Sequence, residues 1–594
     1  MPTRKEMDPK YQWDFTHMYA SDAVWEAELD RCVKEDLNRI AAIEGTLGAS
    51  REAFKAGIDT VYEISERLEK LYIYANLHRT ADGSEPKHQE MDQKAMSAYV
   101  RFSSAVAFME PEILAIPEET LNAFLAPDEM KPYRFMIENI TRTRAHCLDA
   151  QRERMLAQLG DAAQTPQDAY EMLTNVDMEL PMIHDANGNE VQLTSGNFGV
   201  YRESPVRAVR EEAFNAMFGT YKKYINTFAA LYGGNVKQNQ FNANVRNYGS
   251  ACEAALFRNN IPVSVYDSLI EAVHECLPVM REYLELRKEA LGLEKLDMFD
   301  LYCPMVKNVD YQVPFEEAKK MVKKATEPLG EEYQKLLDKA YSEHWMDVYE
   351  NKGKRSGAFS CGVFGVHPYV LLNYTDALDD AFTVAHELGH AMHSYKSDNT
   401  QDFMNHDYCI FVAEVASTVN EVLLTKYLLK TETDKARRAY VLNHFLEGFR
   451  TTVFRQTLFA EFERKAHELY QNGEPLTAER LTALYRSLVE LYYAGADVPE
   501  NITYEWAFIP HFYTAFYVYQ YATGFSSAVS IATHIVETGD AEGYLKFLTT
   551  GGSDYPLNEL KLAGVDLTSP QPVKDALNVF KASVEELREL LKEL

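Results

Sequence analysis

The sequence predicts a mainly α-helical protein with several lobes and a small β-sheet beside one helix that carries two histidines. Three observations support this fold class. Apolar residues recur at helical spacing over long stretches, strand-like alternation is confined to two short zones, and 594 residues exceed what one hydrophobic core normally organises. We expect a helical N-terminal lobe over residues 1–190 and a second domain over 200–594, with the boundary near Asp185–Tyr201.

The helices are predicted from apolar spacing and from their end signals. Within Arg51–Asn76, apolar side chains recur every three or four residues and form one stripe. Ser21 is a suitable N-cap for a helix over Asp22–Ile43. Pro570 and Pro572 mark the start of an amphipathic C-terminal helix.

Strand signals occur in two places. Leu180–Leu193 has Asn187-Gly188 between two alternating runs, which is typical of a β-hairpin. Gly357–Tyr374 combines glycines with an apolar run and predicts a small sheet.

Composition argues against several classes of function. A formal net charge of −30 disfavours nucleic-acid partners and docking on anionic membranes. No apolar run reaches the roughly 18 residues that a transmembrane helix needs, and Ala522–Val536 is better interpreted as a buried helix. The seven cysteines form no C-x-x-C pair, and the N-terminus lacks the apolar core of a secretory signal. We therefore expect a cytoplasmic protein.

The strongest local signal is His386-Glu387-Leu388-Gly389-His390. Two histidines four residues apart on a helix face the same side and can hold one metal ion. Glu387 can take a proton from a water molecule activated at that ion. We predict one Zn²⁺ per chain, although manganese and cobalt suit the same ligand types. Gly389 costs about 1 kcal/mol in a helix, which suggests that another backbone comes close to the metal there.

A catalytic zinc site needs a third protein ligand, and the next predicted helix offers one. This helix, Tyr408–Leu424, follows a polar loop at Ser397–Asp407. Its Glu414 stands among apolar residues, where a carboxylate is costly unless it binds a cation or a partner. We predict Glu414 as the third ligand, with a buried salt bridge as the alternative. Glu421, two turns further along the same face, can orient a ligand.

Other histidines near the motif carry weaker predictions. His393 lies on the same face as His390 and is a candidate for substrate binding or ligation, but a supporting or packing role fits better. His367 and His406 are expected in loops or at the surface.

A downstream aromatic segment, Trp506–Tyr521, offers neutral donors for the oxyanion formed when a peptide bond is hydrolysed. Tyr513, Tyr517 and Tyr521 are four residues apart and share one face if the segment is helical. From these residues alone, packing in the core is the better interpretation.

Several segments resemble the M3 metallopeptidases of the oligoendopeptidase F type. The similarity spans nearly the whole chain, and its segments are WDFTHMYAS at Trp13, ALFRNNIPVSVYDSLI at Ala255, GKRSGAFS at Gly353, HPYVLLNYTD at His367, HELGHAMHS at His386, FVAEVASTVNE at Phe411, HFYTAFYVYQYATGFSSA at His511 and GGSDYP at Gly551. The resemblance implies a helical ellipsoid with a deep central substrate channel. It also implies an oligoendopeptidase F N-terminal region at about 110–185 and an M3 catalytic domain over 200–594.

The resemblance further implies a zinc-dependent endopeptidase that cuts internal bonds of short, unfolded oligopeptides. It assigns His386, His390 and Glu414 as zinc ligands and Glu387 as the general base. Oligopeptides are then the expected partners, while the oligomeric state is not predicted.

The resemblance also assigns residues around the substrate. His511 is expected near the bound carbonyl, and Tyr517 is the first choice for the transition-state donor. Tyr513 and Tyr519 are alternatives, because the spacing from histidine to tyrosine differs from that of mammalian-type relatives. Gly357 is a candidate contact if the segments 357–360 and 370–374 form an edge on which substrate adds as a strand; an ordinary edge packed on the motif helix is equally supported.

Two alternatives to the endopeptidase stay open. A metallocarboxypeptidase needs a cation for the terminal carboxylate, for which Arg355 or Lys354 is available. A catalytically silent helical peptide-binding protein needs no turnover at all.

Overall fold

The computed structural model describes residues 1–306, 309 and 311–594. The described chain forms two compact units. The first unit comprises residues 1–144, 311–427 and 531–564, and the second comprises 145–310, 428–530 and 565–594. Each unit is therefore assembled from three separate stretches. The predicted boundary near Asp185–Tyr201 coincides with no limit of these units and stays a prediction, as do the ellipsoid and its channel.

Helices form most of the described chain, which confirms the predicted fold class. In the first half, α-helices span Asp22–Arg31, Leu37–Ala41, Arg51–Ala81, Pro86–Val106, Met109–Ala115, Glu118–Leu125, Arg134–Thr141, Ala150–Met172, Phe198–Arg202, Arg207–Lys223, Ile225–Val245, Ala251–Phe257 and Val263–Ala290. In the second half they span Phe315–Ala325, Gly330–Ser342, Leu378–Asp398, Ile410–Thr431, Lys435–Gly448, Arg455–Gln471, Ala478–Tyr492, Tyr519–Thr538, Glu542–Phe547, Pro556–Leu562 and Gln571–Lys592.

The predicted start signal of the first long helix operates as expected, but the helix does not continue regularly to Ile43: Cys32–Asp36 is π-helical and the following α-helix ends at Ala41. The Ser21 hydroxyl accepts a hydrogen bond from the Val24 backbone N–H and caps the first α-helix. The apolar stripe of Arg51–Ala81 is buried in the first unit, and this helix runs five residues beyond the predicted end. Within the described residues, no helix is long and apolar enough to cross a membrane.

The two strand zones form two small sheets. Strands β1 (Met182–His184) and β2 (Glu190–Gln192) pair antiparallel, as the Asn187-Gly188 turn predicts. Strands β3 (Met346–Asp347), β4 (Phe359–Cys361) and β5 (Tyr369–Leu371) form a three-stranded sheet in the order β3-β5-β4.

The edge predicted over 357–360 and 370–374 is half right: β4, which overlaps the first segment, is an edge strand, but β5, which overlaps the second, is the central strand of its sheet. It pairs parallel with β3 on one side and antiparallel with β4 on the other. Strand β3 has two residues, too few to show an alternating pattern, and the sequence did not reveal it. The sheet does lie beside the helix that carries the two histidines: a Cβ added to Gly362, just after β4, would lie 3.0 Å from the Ser394 side chain.

Candidate metal centre

The motif helix, Leu378–Asp398, begins with a strong cap and is buried on most sides. The Asp380 carboxylate accepts hydrogen bonds from the backbone N–H groups of Thr375, at 2.7 Å, and Ala377, at 3.1 Å. Phe382, Val384, Ala385 and Leu388 are buried. The remaining face carries His386 and His390, one helical turn apart.

The ligand helix, Ile410–Thr431, packs against the motif helix at very short range. A Cβ added to Gly389 would lie 2.5 Å from the Ala416 carbonyl oxygen and 2.6 Å from the Ser417 Cα. Gly389 therefore allows another backbone to approach closely, as predicted. The backbone that does so is that of the ligand helix. The Asn420 side-chain amide donates to the Ala385 carbonyl at 3.0 Å and links the two helices.

Glu414 lies over the two histidines. Its Oε2 is 3.4 Å from His386 Nε2 and 3.6 Å from His390 Nε2, and the two Nε2 atoms are 3.2 Å apart. Ligands bound at about 2.0–2.2 Å in a tetrahedron lie about 3.3–3.6 Å from one another, so these distances suit one shared Zn²⁺. Two imidazoles and one carboxylate are also the donor set of many catalytic zinc sites.

Glu421 sets the orientation of His386. Its carboxylate accepts a hydrogen bond from His386 Nδ1, which leaves the Nε2 lone pair free to face the shared point. Burial opposes the charged imidazolium, but this bond and the nearby carboxylates raise the pKa of His386 to about 9. The close approach of His390 and the positive charges of both histidines lower the pKa of Glu414 to about 2. The negative charge around the histidines suits a cation.

Glu387 is placed differently from the three predicted ligands. It is 6% exposed, and its Oε2 has no hydrogen-bond partner among the described residues. Burial raises the pKa of this carboxyl group, against the opposing charges of His386 and His390. A buried carboxylate oxygen without a partner is costly, and a water molecule or substrate at the centre would supply one.

The other histidines are packed or paired. His393 is fully buried, its ring stacks on Tyr408 at 3.7 Å between ring centroids, and burial lowers its pKa to about 3. This position supports the packing role and gives no support to substrate binding. His367 and His406 lie in loops, as predicted. His367 is nevertheless buried, at 5% exposure, because its ring stacks on Trp345.

The downstream aromatic segment is not one helix. It contains the 3₁₀ turn Pro510–Tyr513, a left-handed residue at Phe516 with φ of 52°, and a new helix that starts at Tyr519. Tyr513 and Tyr517 therefore do not share a continuous helical face, and this prediction is wrong.

The chain turn nevertheless gathers three of the candidate rings. Ring centroids of His511 and Tyr517 are 6.0 Å apart, and Tyr521 lies 5.5 Å from Tyr517. The two alternative donors pack elsewhere, with Tyr513 at 4.5 Å from Tyr170 and Tyr519 at 5.0 Å from Tyr266. All of these residues belong to the second unit, whereas the three predicted ligands belong to the first.

Glu463 holds this turn, although its sequence position did not single it out. Its Oε1 accepts a 2.7 Å hydrogen bond from the Phe516 backbone N–H, and the side chain is fully buried. Burial raises the pKa of Glu463 to about 8. Its neighbours in the sequence, Glu461, Phe462, Arg464 and Lys465, are mostly charged, so Glu463 lacks the apolar surroundings that mark Glu414 and gives no local sign of its burial.

Gly357 lies at an exposed turn before β4. Its φ of 84° is left-handed, and its carbonyl accepts a 2.7 Å hydrogen bond from the Asn373 side-chain amide. These contacts explain the glycine as a turn residue, and its proposed contact with substrate stays a prediction.

The fold and this ligand set define a helical metallohydrolase of the HExxH class, and comparisons with known proteins place the chain within that class. The model of "Peptidase family M3" matches residues 200–579, and that of "Oligopeptidase F" matches residues 112–179. Oligopeptidase PepF of Bacillus subtilis is 42% identical over 100% of this chain and 89% of its own length. An oligoendopeptidase F homolog of Lactococcus lactis is 42% identical over 99% of this chain and 98% of its own length.

Solved structures agree with this assignment. A protein from Chlamydophila abortus matches with a TM-score of 0.94 at 33% identity, covering 99% of this chain and 100% of its own. Oligoendopeptidase-F from Enterococcus faecium matches with a TM-score of 0.74 at 38% identity, covering 96% of this chain and 99% of its own. The chain belongs to peptidase family M3, in its oligoendopeptidase F group, and is a metalloendopeptidase.

Proposed function

We propose that this chain is a zinc-dependent oligoendopeptidase that hydrolyses internal bonds of short, unfolded peptides. The observation that carries the proposal is the convergence of His386, His390 and Glu414 beside Glu387, a buried acid that is not one of the three. The name of the Bacillus subtilis relative, an oligopeptidase, supports the substrate class.

One zinc ion is proposed at this centre, with His386, His390 and Glu414 as its ligands. Bound there, Zn²⁺ would act as a Lewis acid that makes water more acidic and polarises the scissile carbonyl. Glu421 would keep His386 in the tautomer that ligation needs. Manganese and cobalt stay alternatives that metal analysis distinguishes.

Glu387 is proposed as the general base. Its carboxylate takes a proton from the attacking water and later delivers it to the departing amine nitrogen. Burial supports this role, because a carboxylate deprived of solvent accepts a proton more readily than an exposed one.

His511 and Tyr517 are proposed as hydrogen-bond donors to the oxyanion. Their neighbouring rings and the exposure of His511 support this assignment. Although the residue is exposed as a whole, partial desolvation of its ring by the surrounding protein lowers the pKa of His511, which favours the neutral imidazole near neutral pH. Tyr513 and Tyr519 become weaker alternatives, since their rings pack against Tyr170 and Tyr266.

The test is cleavage of a short, internally quenched peptide with both ends blocked, with products identified by mass. Internal cuts should disappear with a chelator and return with Zn²⁺. The Glu387→Gln variant should keep its zinc and its thermal stability but lose turnover. Cleavage of free peptides alone would favour a carboxypeptidase, and stoichiometric zinc without any cleavage would favour a silent binding protein.

A cytoplasmic location is also proposed. All seven cysteines are free thiols, which suits a reducing compartment. The net charge of −30 supports the absence of nucleic-acid and anionic-membrane partners. Fractionation of the source cells, with detection of the protein by antibody, tests the location.

A further inference from the structure

The second unit contains a cavity that the peptidase chemistry does not use. It has a volume of about 30 Å³, enough to hold at least one molecule the size of water. Most of its wall is aromatic and aliphatic, but Arg202, Arg450 and Arg455 also line it, with Tyr302 and Glu505. Three guanidinium groups around so small a space call for an explanation.

A π-helical turn brings two of these arginines together. Residues Phe449–Phe454 are π-helical, and the turn continues into the helix Arg455–Gln471. Hydrogen bonds in a π-helix join residues five apart, so Arg450 and Arg455 project towards the same side. Such turns are rare and occur frequently at functional sites.

Tyr302 lies between two of the guanidinium groups. The Cζ atoms of Arg202 and Arg450 are 3.7 Å and 4.3 Å from the centroid of its ring. Its hydroxyl group makes no hydrogen bond to the described part of the chain. The hydroxyl is therefore available to a molecule in the cavity.

The carboxylates nearby do not balance the arginines. Glu505 pairs with Arg455 at 2.8 Å. Glu447 is shared, because it binds Arg450 through two nitrogens and also Arg287 at 3.0 Å.

Arg202 and part of Arg450 are left without acidic partners. Among the described residues, Arg202 forms no ion pair, and its buried Nε has no hydrogen-bond partner. Arg450 is 0% exposed, and its Nη1 also has no partner. Buried donors and uncompensated charge are costly, and a bound anion would relieve both.

We propose that this cavity binds one small monovalent anion of halide size. Arg450 Nη1, Arg202 Nε and the Tyr302 hydroxyl are its proposed donors, and Arg455 adds positive charge. The volume is sufficient for a monatomic anion. The anion would stabilise the second unit by joining the helix Phe198–Arg202 to the π-helical turn.

The test uses the full-length metalloenzyme in sodium bromide, sodium chloride or sodium gluconate at equal ionic strength. Gluconate is too large for the cavity, so both halides should raise Tm saturably over gluconate. The Arg202→Gln variant should raise the bromide Kd about tenfold or more, since one charged donor is lost. Arg246→Gln is the matched control: Arg246 is paired with Glu153 at 2.8 Å, so this variant should keep the bromide dependence.

Crystals grown with bromide locate the site directly. An anomalous peak between Arg202, Arg450 and Tyr302 is the expected result. No peak in the cavity, or equal bromide dependence in wild type and Arg202→Gln, would overturn the proposal. The alternative source of negative charge is an ionised Tyr302. It predicts a phenolate absorbance at neutral pH that Tyr302→Phe removes, and a stability that does not depend on halide. That result would also refute the proposed anion site.

Discussion

The Gly389→Ala substitution tests whether close packing of the motif helix and the ligand helix maintains the metal centre. In an unconstrained helix this change stabilises by about 1 kcal/mol. Here the new Cβ would lie 2.5 Å from the Ala416 oxygen and 2.6 Å and 2.8 Å from the Ser417 Cα and nitrogen. Backbone cannot rotate away as a side chain can, so the helices must separate by about 1 Å, an overpacking that costs about 3 kcal/mol. The expected net loss is about 2 kcal/mol.

The same displacement should weaken metal binding, because Glu414 lies only two residues before Ala416. We expect zinc affinity to fall by about 10–100-fold, as for the loss of a group that supports a ligand. Zinc competition with a chelating dye measures the affinity, and denaturant unfolding measures the stability.

Gly219→Ala is the matched control for this substitution. Gly219 lies within the helix Arg207–Lys223, and a Cβ there would meet nothing within 4 Å. This variant should gain up to about 1 kcal/mol and keep its zinc affinity. If Gly389→Ala is as stable as Gly219→Ala and binds zinc like the wild type, the packing argument is refuted.

Three further predictions concern Glu421, which binds His386, and Glu463, which binds the Phe516 backbone. The Glu421→Gln side chain still accepts a hydrogen bond from His386 Nδ1 but carries no negative charge. Zinc affinity should therefore fall about tenfold with little change in Tm. An unchanged affinity in the dye titration would contradict this role of Glu421. Glu463→Leu leaves the buried Phe516 N–H without an acceptor and should lower the free energy of unfolding in urea by about 1–3 kcal/mol. Glu463→Gln keeps a carbonyl acceptor and should lower it by less. Equal losses in the two variants would contradict the role of this hydrogen bond. Because burial raises the pKa of Glu463 to about 8 from 4.5, the folded chain holds a proton that the unfolded chain releases, and stability should fall as pH rises through this window, by up to about 1.4 kcal/mol per pH unit. Glu463→Gln should flatten that slope, and an unchanged slope would assign it to another group.

The grouping of His386, His390 and Glu414 was predictable because its signals are local. Helical spacing alone places His386 and His390 on one face, and the apolar surroundings of Glu414 indicate a carboxylate with a partner. Gly389 also indicated a close backbone, although the sequence did not identify the helix that supplies it. Each of these inferences needs only one turn of helix and the identity of its neighbours.

The interior positions were harder to predict, because burial depends on distant contacts. His367 lies in a loop, as its flanking glycine and proline suggest, but Trp345 stacks on it and removes it from solvent. Strand β3 forms because it pairs with β5. Its two residues are too few to show the alternation of apolar and polar side chains that predicts a strand.

The downstream aromatic segment shows how one distant contact overrides local spacing. A continuous helix over Trp506–Tyr521 would align Tyr513 with Tyr517, as their spacing of four suggests. The buried Glu463 instead binds the Phe516 N–H from a helix 53 residues earlier in the chain, and Phe516 adopts a left-handed conformation that a bulky residue rarely takes without such support. The turn directs Tyr513 towards Tyr170 and leaves Tyr517 beside His511. The choice among the candidate tyrosines therefore depends on a carboxylate outside the segment, which is why spacing within the segment could not make it.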